Sequence, residues 1–237
     1  MEGVYVMLVL SNGGGVQTFG IQCLIAQGEI EKPDLVIFAD TGGESDETYL
    51  HLQNIQKPLL KKLKIPFISI KRSPDTLFWH SYNSGVTPRP PLCSWMFKRD
   101  VINRYLKLKP APPHQVMIGI SLDEESRGYK KSAVSWVENV YPLLELELTR
   151  SDCIDAITRQ GLPVPPKSGC WFCPYKRTSQ WFDLKLTSPA KFNLALRMEK
   201  DTGHTLRKNQ QPLNSISLQD KLFEYSDMEC STGICGV

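Results

Sequence analysis

A chain of 237 residues, 41% hydrophobic and 22% charged, has the makeup of a soluble globular protein with one large domain or one domain and an appendage. Its formal charge of +3 admits anionic partners without calling for nucleic acid. No apolar run approaches the roughly 18 residues of a membrane span. The first apolar run has no basic flank and breaks at Ser11-Asn12-Gly13, too early for a signal peptide. Seven cysteines, an odd number that includes one Cys-x-x-Cys, fit a reducing compartment and metal or redox chemistry better than disulfide staples, so a cytoplasmic protein is expected.

Taken in chain order, Val4 to Leu10 reads as a buried strand, and Val16 to Gln27 carries Val16, Phe19, Cys23 and Leu24 at helical spacing. Leu35 to Ala39 is a second strand, and Thr48 to Leu63 a helix that Pro58 should kink or break. Phe67 to Ile70 reads as a third strand, and the Pro-, Ser- and Thr-rich Ser73 to Leu92 as a long loop. A helix over Ser94 to Leu108, a fourth strand over Gln115 to Ile120 and a fifth over Val140 to Leu148 follow. Ser151 is placed to cap a helix that Gly161 ends. After Pro163 come the Cys170/Cys173 pair, a helix near Pro189 to Lys200 and an irregular polar segment from Gly203 to Ser217. Strands alternating with helices imply a mostly parallel α/β sheet with helices on both faces, and ligands bound outside the carboxyl ends of its strands. The expected division is a nucleotide-binding domain over 1–162 and a helical, cysteine-bearing region over 163–237.

The turn between the first strand and first helix, Ser11-Asn12-Gly13-Gly14-Gly15-Val16-Gln17-Thr18, has the makeup of a phosphate cradle. Glycines let backbone approach an anion, and the first helical N–H groups and the dipole attract negative charge. It lacks the Lys-Ser/Thr ending of a Walker A loop and the full spacing of a dinucleotide fingerprint. It resembles the PP-loop, Ser-x-Gly-Gly-x-Asp-Ser, of the ATP pyrophosphatase and sulfonucleotide reductase superfamily, with Gln17 where an acid is common and Thr18 where Ser is usual. Asp40-Thr41-Gly42 followed by Glu47-Thr48-Tyr49 is similar to the Asp-Thr-Gly…Glu-Thr-Tyr element that this family uses around the adenosine. Gly119-Ile120-Ser121-Leu122-Asp123-Glu124…Arg127 is similar to its Gly-x-Arg-x-(Asp/Glu)-Ser…Arg segment. Ser121 stands where an Arg is often found, which shifts anion binding toward Arg127. Similar Gly-Gly-Gly-Val-Gln sequences belong to PP-loop, phosphoadenosine phosphosulfate reductase-like proteins of phages and bacteria.

Cys170-Trp171-Phe172-Cys173 has the spacing at which two thiolates grip a tetrahedral zinc or a cluster. A thioredoxin-type pair would belong early in a small fold. The family resemblance favours a 4Fe–4S cluster over zinc, with Cys93, Cys170 and Cys173 as ligands and Cys230 or Cys235 as a fourth, or an open iron site as in cluster-dependent tRNA thiolases; where the family has two adjacent cysteines, this chain has Cys93-Ser94. Glu229-Cys230-Ser231 resembles loosely the reductase tail whose cysteine is the nucleophile. Cys23 and Cys153 sit in apolar helical patterns and read as buried small hydrophobes. Trp171, Phe172, Tyr175, Trp181 and Phe182, near Lys176, Arg177 and Lys185, suit a subdomain core better than base stacking.

The resemblance implies a Rossmann-like PP-loop fold and an ATP-using enzyme. Ser11, Gly13, Gly14, Gly15, Gln17 and Thr18 would hold phosphates, Asp40, Thr41, Gly42 and Asp123 would help bind the nucleotide, and Arg127 would offset developing charge. Adenylation of a substrate with pyrophosphate release, for sulfur insertion into a nucleic acid supplied by a sulfur-donor protein, is the leading expectation; a homodimer is compatible with it. The rivals are a reductase of adenylyl sulfate using Cys230 and a zinc-stabilised binding module without catalysis.

Overall fold

Neighbouring residues of β1 (Leu8–Asn12) point to opposite faces, and both faces are buried. Leu10 joins one apolar cluster, with Val36 and Met117 from the adjacent strands; Val9 joins another, with Leu35, Ile37 and Val116. The computed structural model describes residues 6–72, 75–89, 91–110, 112–207 and 210–219. Two compact units account for the chain, one from the residues before position 75 and Cys93–Gly169, the other from Asp75–Leu92 and the residues after Gly169.

The first unit holds a five-stranded parallel sheet of order β3-β2-β1-β4-β5, with β2 (Leu35–Asp40), β3 (Phe67–Lys71), β4 (His114–Ile118) and β5 (Val137–Val140). The strand order reverses between β1 and β4, which opens a crevice beyond their carboxyl ends. All six residues of β2 are buried, as a central parallel strand requires. On one face pack α1 (Val16–Gln27), α2 (Asp46–His51) leading into α3 (Lys57–Lys62), and later the helix Arg150–Arg159; the helix Asp100–Lys107 packs on the other through Ile102 and Leu106. The expected α/β architecture is the one observed.

Pro58 does not break its helix. A π-helical segment, Leu52–Gln56, joins α2 to α3, and Lys57 N–H donates to Leu52 O. Widening the turn there accommodates a proline that has no N–H and whose ring would press on the carbonyl four residues back. Other expectations are corrected. Within the described residues the first strand begins at Leu8, and Val6 is exposed. Ser73 to Leu92 is not one loop: Thr76 accepts a hydrogen bond from Trp79 N–H and left-handed Gly85 ends α4 (Leu77–Ser84). A helical stretch runs through α5 (Leu92–Ser94), π-helical Trp95–Arg99 and α6 (Asp100–Lys107). The fifth strand stops at Val140, because Pro142 opens the short α7 (Pro142–Glu145). The cap of α8 (Arg150–Arg159) is Thr149, which shares a capping box with Asp152; Ser151 lies inside the helix.

In the second unit, Phe78 of α4 lies 4.9 Å from the Trp171 ring and meets Phe172 edge-on at 5.2 Å. Trp181 on α9 (Thr178–Thr187) is fully buried, as are Ala195 and Met198 on α10 (Pro189–Thr202). Trp171, Phe172 and Trp181 are core residues, while Tyr175 is exposed. Glu199 ties the segment after α10 back to it by accepting from the Leu206 and Leu213 N–H groups at 2.6 and 2.8 Å. Among the described residues, no helix is long and apolar enough to cross a membrane.

Cys23 and Cys153 are fully buried where α1 meets α8. Burial first, then the neighbouring Cys153, pushes the Cys23 thiol up to about 12; burial first, then Asp152 and Asp123, does the same to Cys153. At pH 8 neither should carry an appreciable thiolate. Iodoacetamide footprinting of the native protein is therefore expected to leave both unmodified, and labelling in denaturant to reach both. Native labelling at the rate of an exposed thiol would contradict this packing.

Candidate functional site

At the carboxyl end of β1, Asn12 is buried, and its amide sets the turn that follows. Its Oδ1 accepts from Gly14 N–H and from Thr18 Oγ1–H, both at 2.9 Å, and its Nδ2 donates to Gln56 Oε1 at 2.8 Å. Gln56, on the π-helical segment, uses its full capacity: Oε1 also accepts from Gln22 at 3.3 Å, and Nε2 donates to Gly14 O at 3.4 Å and to His51 Nδ1 at 3.1 Å. His51 Nε2 lies 2.9 Å from Pro163 O. A carbonyl only accepts, so Nε2 carries the ring hydrogen and Nδ1 is the acceptor for Gln56.

This network shapes the loop of three glycines. Gly14 takes a φ of +75°, which an L side chain adopts only under strain, and a Cβ there would meet Thr48 Cγ2 at 2.9 Å. A Cβ on Gly15 would meet Ser168 Oγ at 2.7 Å, and one on Gly119 would meet Thr18 Cγ2 at 2.7 Å. Around Gly13 nothing lies within 4 Å of such a Cβ, so the surface above it is open. The α1 helix begins after Gly15 with no side-chain cap and no acidic residue in its first turn. Its leading amides have no partners inside the helix, and they face the rim of the crevice.

Around this loop the rim groups the residues singled out in the sequence. Ser11 is still within β1, paired to Ile37 and Ile118. Thr18 Oγ1 faces back to Asn12, and Gln17 reaches outward, donating to Glu124 Oε2 at 3.4 Å and accepting from Arg150 Nη1 at 3.1 Å. Arg127 lies on the same 3-10 helix as Glu124 (Leu122–Arg127) and is ion-paired to it. Asp123 accepts from Arg150 N–H at 2.8 Å; burial is the largest single influence and opposes its ionisation, but that amide, its own backbone N–H, the Ser121 hydroxyl and the Arg150 charge together outweigh it, and the carboxyl titrates below its usual range. At the end of β2, Asp40 accepts from Gly42 N–H at 2.8 Å and from the Tyr49 hydroxyl at 2.6 Å, and is paired with Lys71 at 3.1 Å. Burial first, then that bond to Asp40, pushes the Tyr49 phenol up. Thr41 accepts from Gly43 N–H at 3.2 Å, and buried Glu44 pairs with Lys98 at 2.8 Å.

Asn12, Gln56, His51, Glu44 and Arg150 were not legible as site residues. For Gln56 a signal existed: it falls four residues after Leu52, on the apolar stripe of its helix, where a polar side chain must find partners.

Cys93 belongs to the sheet unit, and Cys170 and Cys173 to the second unit. The pair sits on a turn in which Cys173 N–H donates to Cys170 O at 3.1 Å and Lys176 N–H to Cys173 O at 3.0 Å. Among the described residues, no group of three or more His, Cys, Asp or Glu side chains is placed to hold a metal ion, so a complete four-ligand set is not found there. Cys230 lies outside the described residues.

No protein-family model matches the sequence, and no curated protein does. Solved structures do. A phosphoadenylyl-sulfate reductase from Candida auris, crystallised with phosphate, superposes over 70% of this chain and 82% of its own, with a TM-score of 0.50 and 15% identity. The chain shares the Rossmann-like α/β fold of that reductase. The U34-tRNA thiolase NcsA from Methanococcus maripaludis, solved with its 4Fe–4S cluster, matches 84% of this chain and 72% of its own at a TM-score of 0.48 and 16% identity.

Replacing Gln56 by Leu would leave Asn12 Nδ2–H and Gly14 O buried without their partner, at about 1–3 kcal/mol for each group left unsatisfied. Urea unfolding of Gln56→Leu is expected to show a loss of that order. A loss below about 0.5 kcal/mol, the range of an ordinary surface change, would mean that the loop does not depend on this amide.

Proposed function

We propose that the chain is an adenine nucleotide-dependent PP-loop enzyme that adenylates a substrate oxygen and releases pyrophosphate. The observation that carries this reading is the loop itself. Three glycines and an uncapped helix N-terminus stand at the switch point of a parallel sheet, and open space lies over Gly13. The substrate oxygen would attack the α-phosphorus, the bond from that phosphorus to its bridging oxygen would break, and the electron pair would leave on pyrophosphate. The backbone N–H groups at the start of α1 would hold the leaving phosphates while charge develops on them. Asp40, Thr41 and Gly42 shape the neighbouring strand end, where the adenosine would lie. Their polar atoms already hold that turn in shape, so its form, and not the Asp40 charge, would be what the nucleoside meets.

The Cys170–Cys173 turn offers two thiolates for a zinc or a cluster, and no step of the reaction is routed through it. Sulfur insertion into a nucleic acid is one use of an adenylated oxygen: the bond to the adenylate oxygen breaks as sulfur attacks, and AMP leaves.

Gly13 gives the cleanest test, since it has neither the positive φ of Gly14 nor a crowded Cβ. Gly13→Asp places a carboxylate where the phosphates would sit. Calorimetry is expected to show ATP binding in the wild type and its loss in Gly13→Asp, with the thermal midpoint unmoved. Equal affinity in the two proteins would remove the phosphate-loop assignment. Productive binding of adenylyl sulfate alone, with sulfite release in the presence of a thiol reductant, would replace adenylation by the reductase reading that uses Cys230. Tight ATP binding with no pyrophosphate release on any acceptor would favour a binding module.

A further inference from the structure

The helices α1 and α8 lie side by side and run the same way. Gln17 meets Arg150, a Cβ on Gly20 would meet that of Cys153 at 2.6 Å, and Gln27 donates to Ala156 O at 2.9 Å, so positions advance together along both helices. Both N-termini therefore come to the same rim, yet they are treated differently. The start of α8 is saturated with carboxylate: Asp152 accepts from Thr149 N–H at 2.7 Å, and Asp123 accepts from Arg150 N–H at 2.8 Å. The start of α1 has no acid and no side-chain cap.

Charge accounting on this rim singles out one residue. Glu124 is neutralised by Arg127, Asp40 by Lys71 and Glu44 by Lys98. Among the described residues, no carboxylate comes within ion-pair distance of the Arg150 guanidinium: Asp123, held on the Arg150 backbone N–H, feels its charge from further away, and the hydrogen-bond partner of the guanidinium is the neutral amide of Gln17, the second residue of the loop helix. Arg150 also stands at the first position of α8, where a cation works against the helix dipole. A guanidinium in that place, aimed across at the loop rather than at an acid, has its charge available for an anion. Gln17 permits this. An acid at position 17 would pair with Arg150 and occupy it, whereas an amide orients the guanidinium without neutralising it and leaves its charge opposed only by the more distant Asp123.

We propose that Arg150 is the specificity-determining cation of the nucleotide site, the group that holds the terminal phosphates of a nucleoside triphosphate above the loop. The inference rests on the nucleotide reading above and deepens it, since it fixes the preferred ligand as a polyphosphate and not a monophosphate.

Calorimetric titration of ATP and of AMP into the wild type, Arg150→Gln, Arg150→Lys and Arg127→Gln tests it. Arg150 is exposed, so the thermal midpoints of its variants should match the wild type. Arg150→Gln is expected to weaken ATP binding by about tenfold or more, as loss of a charge-assisted contact does, while AMP binding stays within about twofold. Arg150→Lys should recover part of the ATP affinity through its retained charge, and the salt dependence of ATP binding should be shallower in Arg150→Gln. ATP binding in Arg150→Gln equal to that of the wild type would overturn the assignment and leave the nucleotide reading intact. So would a loss confined to Arg127→Gln. A wild type that binds neither nucleotide would overturn both.

Discussion

The structure of the loop depends on one buried primary amide. Gln56 spends two donor hydrogens and two acceptor lone pairs on four partners: Asn12 and Gly14 of the loop, Gln22 of α1, and His51 of its own helix. A buried amide with every capacity filled costs little and tolerates no rearrangement, because each broken bond leaves a group in the interior that water cannot reach. That constraint passes to Asn12, whose Oδ1 holds Gly14 N–H and the Thr18 hydroxyl together, and so to the glycine turn itself. The π-helical segment serves the same end. It lies immediately ahead of Pro58, where a regular helix would clash, and carries Gln56.

Around this amide the rest of the rim is assembled by close approach. Gly119 lets the end of β4 come against Thr18, Gly15 lets Ser168 come against the loop, and Gly20 lets α8 lie against α1. Each of these glycines is needed for what sits on the other side of it, and each joins a separate stretch of chain to the first helix. The open surface above Gly13 stands out against this crowding. A loop crowded at Gly14 and Gly15 and clear at Gly13 has the room that the proposed phosphates require.

The order and type of the central elements were legible because they are carried by local signals: apolar β-branched runs for β1, β2 and β4, and helical spacing for α1 and α6. The glycine turn was legible for the same reason. What escaped was decided by contacts distant in sequence. Nothing near Gln56 says that it will meet Asn12, 44 positions away, and Gln17 and Arg150 are 133 positions apart. The misplaced fifth strand shows the opposite failure, a local signal that was present and underweighted. Pro142 marks where the strand must stop, but the apolar run after it read as more strand. In Ser73 to Leu92 the density of proline hid a short helix with a threonine cap and a left-handed glycine at its end.

The second unit follows the same logic by different means. The two residues between Cys170 and Cys173 are large and aromatic, and both are buried, Phe172 completely. They are gripped by Phe78, which α4 brings in from a stretch almost a hundred residues earlier in the chain. A Cys-x-x-Cys turn closed by a backbone hydrogen bond and anchored through both of its middle residues holds its two cysteine positions fixed, whatever occupies them. Aromatic burial explains why these residues are Trp and Phe, and base stacking does not: rings packed against one another in a core have no face left to offer a ligand. The cationic side chains nearby in sequence, Lys176, Arg177 and Lys185, therefore act without an aromatic platform built from Trp171 or Phe172. The part of any contact with an anionic partner that their charge supplies would weaken steeply with salt.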